Sequence, residues 1–472
     1  MKRVITLLLA AGLVLGAASA SQATDIKAKG VYQFAWSAGD SSLNKNSTAD
    51  TFGAYQRFRG QVDMIASESL KGVVMFEIGF LDWGKGKDTE WARNTGASLG
   101  SDGTNVKTRY MYVDWVIPQT EVQVRMGLQN FALPTFALAN AVLGGGTADG
   151  AGITVSGQFT ENVGASLFWL RAQNDNASGV EGYHFSDAMD FVGLTVPMTF
   201  DGVKVTPWAM YGALGRDSFE GGSQSTALVN MLPAGTPSLV GESAIDRHGD
   251  AWWLGFASEL TMFDPFRVAL DGAYGATSWN ESELERSGWY LAALAEYKLD
   301  FMTPGIQFWY ASGDDDKVSN GSEMLPTVRA DLNNSSYGHD GAYTNAYNSL
   351  LGQSVAGTWG AYAYLKDISF IEDLSHVLRV GYIQGTNNTT MIWKHGVLET
   401  PNANGNQLYL TTADHAWEVN FDTTYNIYKN LTMVVELGYI NVDLDEGVWG
   451  KKAVDSINEN NFRGAVSMQY SF

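Results

Sequence analysis

"FRGAVSMQYSF", Phe462 to Phe472, closes the chain and decides how the rest is read. Phe462, Gly464, Val466, Met468, Tyr470 and Phe472 alternate with Arg463, Ala465, Ser467, Gln469 and Ser471. A period of two sends successive side chains to opposite faces of a strand, here one apolar and one polar. Free termini more often fray into polar residues. An aromatic ending of this kind is expected to be held by a neighbouring strand.

The same alternation recurs upstream. In "EVQVRMGLQ", Val122, Val124, Met126 and Leu128 alternate with Glu121, Gln123, Arg125, Gly127 and Gln129. "AWEVNFDTTYNI", "NLTMVVELGYI" and "VVMFEIGFL" repeat it, and none of these apolar stripes carries a charge. A soluble sandwich and a membrane barrel both produce clean stripes, so the connections must discriminate. They alternate in length: tight turns at 67–70, 118–119, 161–162, 201–202, 263–264 and 428–429, and long polar loops at 83–106, 130–150, 214–249, 313–355, 387–413 and 443–461. That asymmetry belongs to up-and-down barrels of outer membranes.

The strands count to eighteen, with sixteen as the alternative. An even number lets "IKAKGVYQFAW", Ile26 to Trp36, pair with the final strand and close the sheet, which hydrocarbon requires because unpaired edge amides are costly there. The expected fold is all-β: a closed antiparallel up-and-down transmembrane β-barrel. Composition agrees, with 52 glycines, 10 prolines, 15 tryptophans and 12% aromatics, as turns and interfacial aromatic girdles demand.

Lys2 and Arg3, the apolar run Val4 to Ala18 and small residues around Ala20 and Ala23 have the layout of a cleavable secretory signal. The expected organisation is a signal at 1–23, cut after Ala20 or Ala23, followed by a single barrel domain at 24–472. No cysteine is present, which excludes disulfides and thiolate metal sites. The formal charge of -21 argues against a nucleic-acid partner, since phosphate contacts need clustered Lys and Arg.

Phe472 at the last position, with Tyr470 and Met468 behind it, resembles the β-signal that the barrel-assembly machinery reads. With "TDIKAKGVYQFAW" at the expected mature start and "MGLQNFALP" after the fifth strand, the chain is similar to the outer membrane homotrimeric porin family of sulfate-reducing proteobacteria, a general bacterial porin-like barrel. The resemblance implies passive diffusion of small hydrophilic solutes and ions, a trimer, residence among outer-membrane lipid and lipopolysaccharide, and no catalysis or cofactor. A substrate-selective channel for sugars or small anions is the alternative within transport; a barrel enzyme or a surface scaffold is the alternative outside it.

On the clearer strands, inward charges balance, nine basic against nine acidic. Among them Arg57, Arg59 and Arg125 are candidates for a basic pore wall, and Asp63, Glu77 and Glu121 for the carboxylates that line it or tie it together. By resemblance, the loop 130–150 is the inward-folding constriction, with Phe131, Leu133, Phe136 and Asp149 as its candidate residues. From the sequence alone, Thr135 to Val142 reads as a short helix capped at Thr135 and stopped at Gly144. Tyr110, Tyr112 and Tyr290 are inward aromatics that either stack sugars or fill the wall.

Enzyme motifs are sparse. "GASLG", Gly96 to Gly100, matches G-x-S-x-G but lies in a loop between strands rather than on a strand-to-helix turn. The six histidines show no H-E-x-x-H spacing. Two acidic stretches, "GDDDKVSNGSE" from Gly313 and "NVDLDEG" from Asn441, offer oxygen ligands that would suit calcium; solvated acidic loops are the alternative.

Overall fold

The computed structural model describes residues 24–40, 43, 45, 51–84, 106–138, 140–144, 148–173, 188–215, 230–235, 248–330, 354–403 and 407–472. The signal at 1–23, the Gly96 to Gly100 motif, His184 and His339 lie outside these residues.

Eighteen strands form one antiparallel sheet. They are β1 Asp25–Gly39, β2 Thr51–Ser67, β3 Leu70–Asp82, β4 Val106–Val116, β5 Gln123–Asn130, β6 Asp149–Gln158 and β7 Gly164–Gln173. Next comes β8, Met189–Thr195 continued by Met198–Phe200 across Pro197, and then β9 Val203–Leu214. The rest are β10 Gly249–Phe263, β11 Phe266–Ser278, β12 Arg286–Tyr297, β13 Thr303–Ala311, β14 Thr358–Ile371, β15 Leu374–Gly385, β16 His415–Tyr428, β17 Leu431–Asp443 and β18 Asn460–Ser471. Each strand pairs with its sequence neighbours, and β1 pairs with β18 from Val31↔Ser471 to Gly39↔Arg463. The sheet is therefore closed, and eighteen rather than sixteen is the count.

Closure extends to the last residue. Phe472 donates its N–H to the Gly30 carbonyl and accepts from the Gly30 N–H, both at 3.0 Å. Its ring packs against Tyr32, Phe58 and Tyr470 at centroid distances of 6.2 to 6.3 Å. Gly30 leaves the space: a Cβ there would stand 2.8 Å from Phe472 Cζ.

Alternation sorts the two faces as the sequence implies. On β16, Trp417, Val419 and Phe421 are exposed outside while Ala416, Glu418 and Asn420 are buried inside. Outward aromatics gather into two belts. At the loop end Trp252 packs on Tyr274, Trp289 on Tyr310 and Tyr382 on Trp417. At the turn end Phe266 packs on Tyr297 and Phe301 on Phe370. The belts are eight residues apart from Trp289 to Tyr297 on β12, about 20 Å of height for a strand tilted by about 40°. An exterior this apolar, rimmed by rings, fits a hydrocarbon layer and not water. Among the described residues no helix is long and apolar enough to cross a membrane.

Candidate functional site: the lumen

Part of the inner face is covered by loop segments and part is lined by charges. On β8 to β14 the inward residues Met189, Phe191, Trp253, Ala292 and Trp309 have no solvent exposure. An inner layer of loop segments covers them. Phe131 and Leu133 pair back on Ala148 and Leu143 through backbone bonds of 2.9 and 3.0 Å. Val142 and Gly144 bond Val328 and Arg329 of a second loop at 2.8 to 3.0 Å. The side chain of Arg286 donates to the carbonyls of Leu232, Met324 and Leu325, and Trp253 Nε1 to that of Pro326. Asp314 is buried where Ser322 and the Tyr409 hydroxyl donate to its carboxylate, the latter at 2.7 Å. Burial pushes both the Asp314 carboxyl and the Tyr409 phenol above their usual ranges.

The tip of the first loop reaches furthest. It leaves β5, and its residues 135–138 dock on β11, six strands round the barrel. Asp271 accepts from Thr135 Oγ1 at 2.6 Å and from the N–H groups of Phe136, Ala137 and Leu138 at 2.7 to 2.9 Å. The carbonyl of Phe136 accepts from Arg267 at 3.1 Å and that of Ala137 from Gln307. Among the described residues of 135–142 no helix forms, contrary to expectation. Asp271 takes three amides there, and Asn140 Oδ1 takes those of Val142 and Leu143 at 2.8 and 2.9 Å, closing a side-chain turn that competes with helical bonding.

The wall of β1 to β5 is polar. Glu77 is its hub: Arg59 Nε donates to it at 2.7 Å, with Arg57, Lys107 and Arg109 at 3.9 to 4.0 Å. Arg57 also donates to Gln33 at 2.8 Å from Nε. Arg109 donates to Asp149 at 2.9 Å, and Asp149 accepts from Asn130. Further along the wall Asp114 accepts from Arg125 at 2.6 and 3.0 Å and lies 3.5 Å from Lys71. Arg125 stacks over the Tyr112 ring at 4.2 Å, and Arg109 lies 5.8 Å from Tyr110.

Several expectations change at this level. Glu121 is not on the wall. The turn after β4 spends six residues, with Ile117 N–H bonded to Val122 O at 2.9 Å, so β5 starts at Gln123 and Glu121 lies exposed in the turn. Lys298, one of the nine basic residues expected to face inward, likewise lies past the end of β12. Asp63 accepts from Gln61 at 2.6 Å and not from the arginines. Strict alternation with Tyr110 and Tyr112 inside puts Lys107 and Arg109 on the lipid face beside Met111 and Val113, but a bulge where β3 passes from Met75 to Phe76 shifts the register and brings them inside. Phe131 and Leu133 are buried in the inner layer, Phe136 sits at its tip, and Asp149 joins the charged wall. Tyr290 lies beneath the layer, whereas Tyr110 and Tyr112 are on the polar wall.

The acidic loop from Gly313 is internally satisfied: Asp315 accepts from Lys317 and Asn320, and Glu323 from Asp315 N–H and Asn320. Among the described residues no three His, Cys, Asp or Glu side chains stand where they could hold a metal ion.

No protein-family model matches the chain, and no curated protein matches it by sequence. Solved structures do. OccAB3 of Acinetobacter baumannii superposes with a TM-score of 0.54 at 10% identity, over 95% of this chain and 99% of that one. OccK2 (OpdF) of Pseudomonas aeruginosa, solved in complex with glucuronate, gives 0.53 at 10% identity over 95% and 98%. A BenF-like porin from Pseudomonas fluorescens Pf-5 gives 0.53 at 9% over 95% and 98%. At such low identity the shared property is the fold, so the chain has the porin-like barrel architecture of these proteins along nearly its whole length.

Proposed function

We propose that the protein is an outer-membrane porin that lets small hydrophilic solutes and ions diffuse through the lumen past the charged wall of β1 to β6. One observation carries this reading. Arg59, Lys71, Lys107 and Arg125 on one wall keep 25 to 40% of their side-chain surface exposed inside the barrel, and Lys204, Arg267 and Lys366 on the facing wall keep 31 to 49%. Water therefore reaches a charged wall from within, and an 18-stranded barrel is too wide for strand side chains alone to fill. Arg57, Arg59 and Arg125 act as part of the basic wall and the loop 131–143 as the constriction. Liposome swelling with sugars of graded size is the test: a sharp size cut-off is the expected result, and no flux at all would return the chain to a scaffold or enzyme role.

A second reading, selectivity for small organic anions, is favoured by charge. In the ion-pair cluster on β2 to β6, six cations (Arg57, Arg59, Lys71, Lys107, Arg109, Arg125) meet four carboxylates (Asp63, Glu77, Asp114, Asp149). OccK2 was solved with glucuronate and OpdK of Pseudomonas aeruginosa with vanillate, both carboxylates. Flux of glucuronate exceeding that of neutral glucose would separate a selective channel from a general one.

A further inference from the structure

We propose that Asp271 is the positioning residue that fixes the bore: it pins the tip of the loop 131–143 across the lumen, and this role rests on the channel reading above. The tip is held through several groups at once. Its three consecutive N–H groups, at Phe136, Ala137 and Leu138, all point at one carboxylate, and Thr135 adds its hydroxyl. The carbonyls of Phe136 and Ala137 are taken by Arg267 and Gln307. All three N–H groups and two of the three carbonyls between Phe136 and Leu138 thus have a protein partner.

The dependence is mutual. Asp271 is wholly buried, and its hydrogen-bond partners among the described residues all belong to the loop. A buried carboxylate without donors is strongly disfavoured, as are the buried amides of Ala137 and Leu138 without an acceptor. The alternative docking positions are thus closed to both partners. The wall is shaped for the contact as well: the residues in register with Asp271 on either side are Ala257 and Ala292, both fully buried, so small side chains leave a slot for the tip. Arg267, which holds the Phe136 carbonyl, is itself paired to Glu259 and Glu296 at 2.6 and 3.1 Å, so the pin is anchored in the ion pairs of the wall.

The test uses the full-length barrel and exploits the absence of native cysteine. Leu138→Cys, buried under the tip, is probed with a maleimide in the otherwise unaltered protein and together with Asp271→Ala; in parallel, single-channel conductance and sugar size cut-off are recorded without the cysteine. Pinning predicts protection of the introduced thiol with Asp271 present and labelling without it, a larger unit conductance, and passage of larger sugars, in a barrel whose heat-modifiable gel mobility is unchanged. A folded Asp271→Ala barrel with a protected thiol and the original conductance overturns the proposal. Should Asp271→Ala not assemble, Thr135→Val removes one of the four bonds from the loop side and predicts smaller changes in the same direction; no change in either readout is again refutation. A labelling change in a protein that passes no current at all would uphold the pin and refute the channel reading, so the two failures are distinguishable.

Discussion

Reversing Arg57 and Arg59 to glutamate tests whether the charged wall governs permeation. On β2 to β6 six cations stand against four carboxylates, a local excess of two positive charges, and the double reversal turns it into an excess of two negative ones. For an ion passing about 10 Å from the cluster through water, each unit charge is worth about 0.4 kcal/mol before screening. A Debye length of about 8 Å at ~0.15 M salt leaves roughly 0.3 of that. A change of four charges then moves one ion by about 0.5 kcal/mol and the anion-to-cation permeability ratio by about fivefold, toward cations. At ~1 M salt, where the Debye length is about 3 Å, the same substitutions should move the ratio by only about 1.2-fold. The assay is the zero-current potential of planar bilayers under a salt gradient at both ionic strengths. A folded double variant with an unchanged potential at the lower salt would refute the electrostatic argument; the arginines would then only tie the wall together through Glu77 and Gln33.

Glu77→Gln leaves Arg57, Arg59, Lys107 and Arg109 without their shared carboxylate; anion preference should rise, and thermal stability should fall by about 3 to 5 kcal/mol if the site is as desolvated as a buried pair, read by heat-modifiable mobility. Deleting Phe472 removes two backbone bonds to Gly30 and the ring contacts at the seam; it should reduce the amount of barrel in the membrane while leaving the conductance of inserted channels unaltered. Gly30→Val should act alike, because its Cβ would meet Phe472 at 2.8 Å and the Arg59 carbonyl at 2.9 Å. Tyr409→Phe takes a donor from the buried Asp314 and should loosen the inner layer by about 1 to 3 kcal/mol. Since burial raises the Asp314 carboxyl above 3.8, the folded layer holds that proton to higher pH than the unfolded chain does. Its stability should therefore increase as pH falls through the window above 3.8, measured by protease resistance, and Asp314→Asn should remove that dependence.

Strand positions were legible because lipid imposes the same demand on every strand. Trp417, Val419 and Phe421 alternate with polar partners in the sequence and do so in the barrel, and the closure between β1 and β18 follows from an even count. Parity failed where one residue was inserted: the bulge between β3 and β4 moved Lys107 and Arg109 to the other face, and no period-two reading detects an extra residue. Glu121 failed differently, since its parity was right but the turn took more residues than Pro118 and Gln119. The loop contacts were out of reach altogether. Asp271 and Thr135 lie 136 positions apart, and the donors that meet at the carboxylate are mostly backbone N–H groups, which every residue but proline possesses.

One signal for the inner layer was nevertheless in the sequence. On β10, "AWWLGF" is apolar at every position: Trp252 and Leu254 face outward, and Ala251 and Trp253 inward with no exposure. On β12, "WYLAAL" repeats this, with Trp289 and Leu291 outside and Tyr290 and Ala292 buried inside. A strand that faced lipid on one side and water on the other would have no reason to be apolar on both, so a two-faced apolar strand marks a wall that something apolar covers. On β2, by contrast, Arg57, Arg59, Gln61 and Asp63 occupy successive inward positions. Covered and charged stretches of the wall therefore differ in strand composition. Introducing a charge at Ala292 should consequently disturb the docked loop, whereas the same charge at Gln61 should only retune the ions that pass.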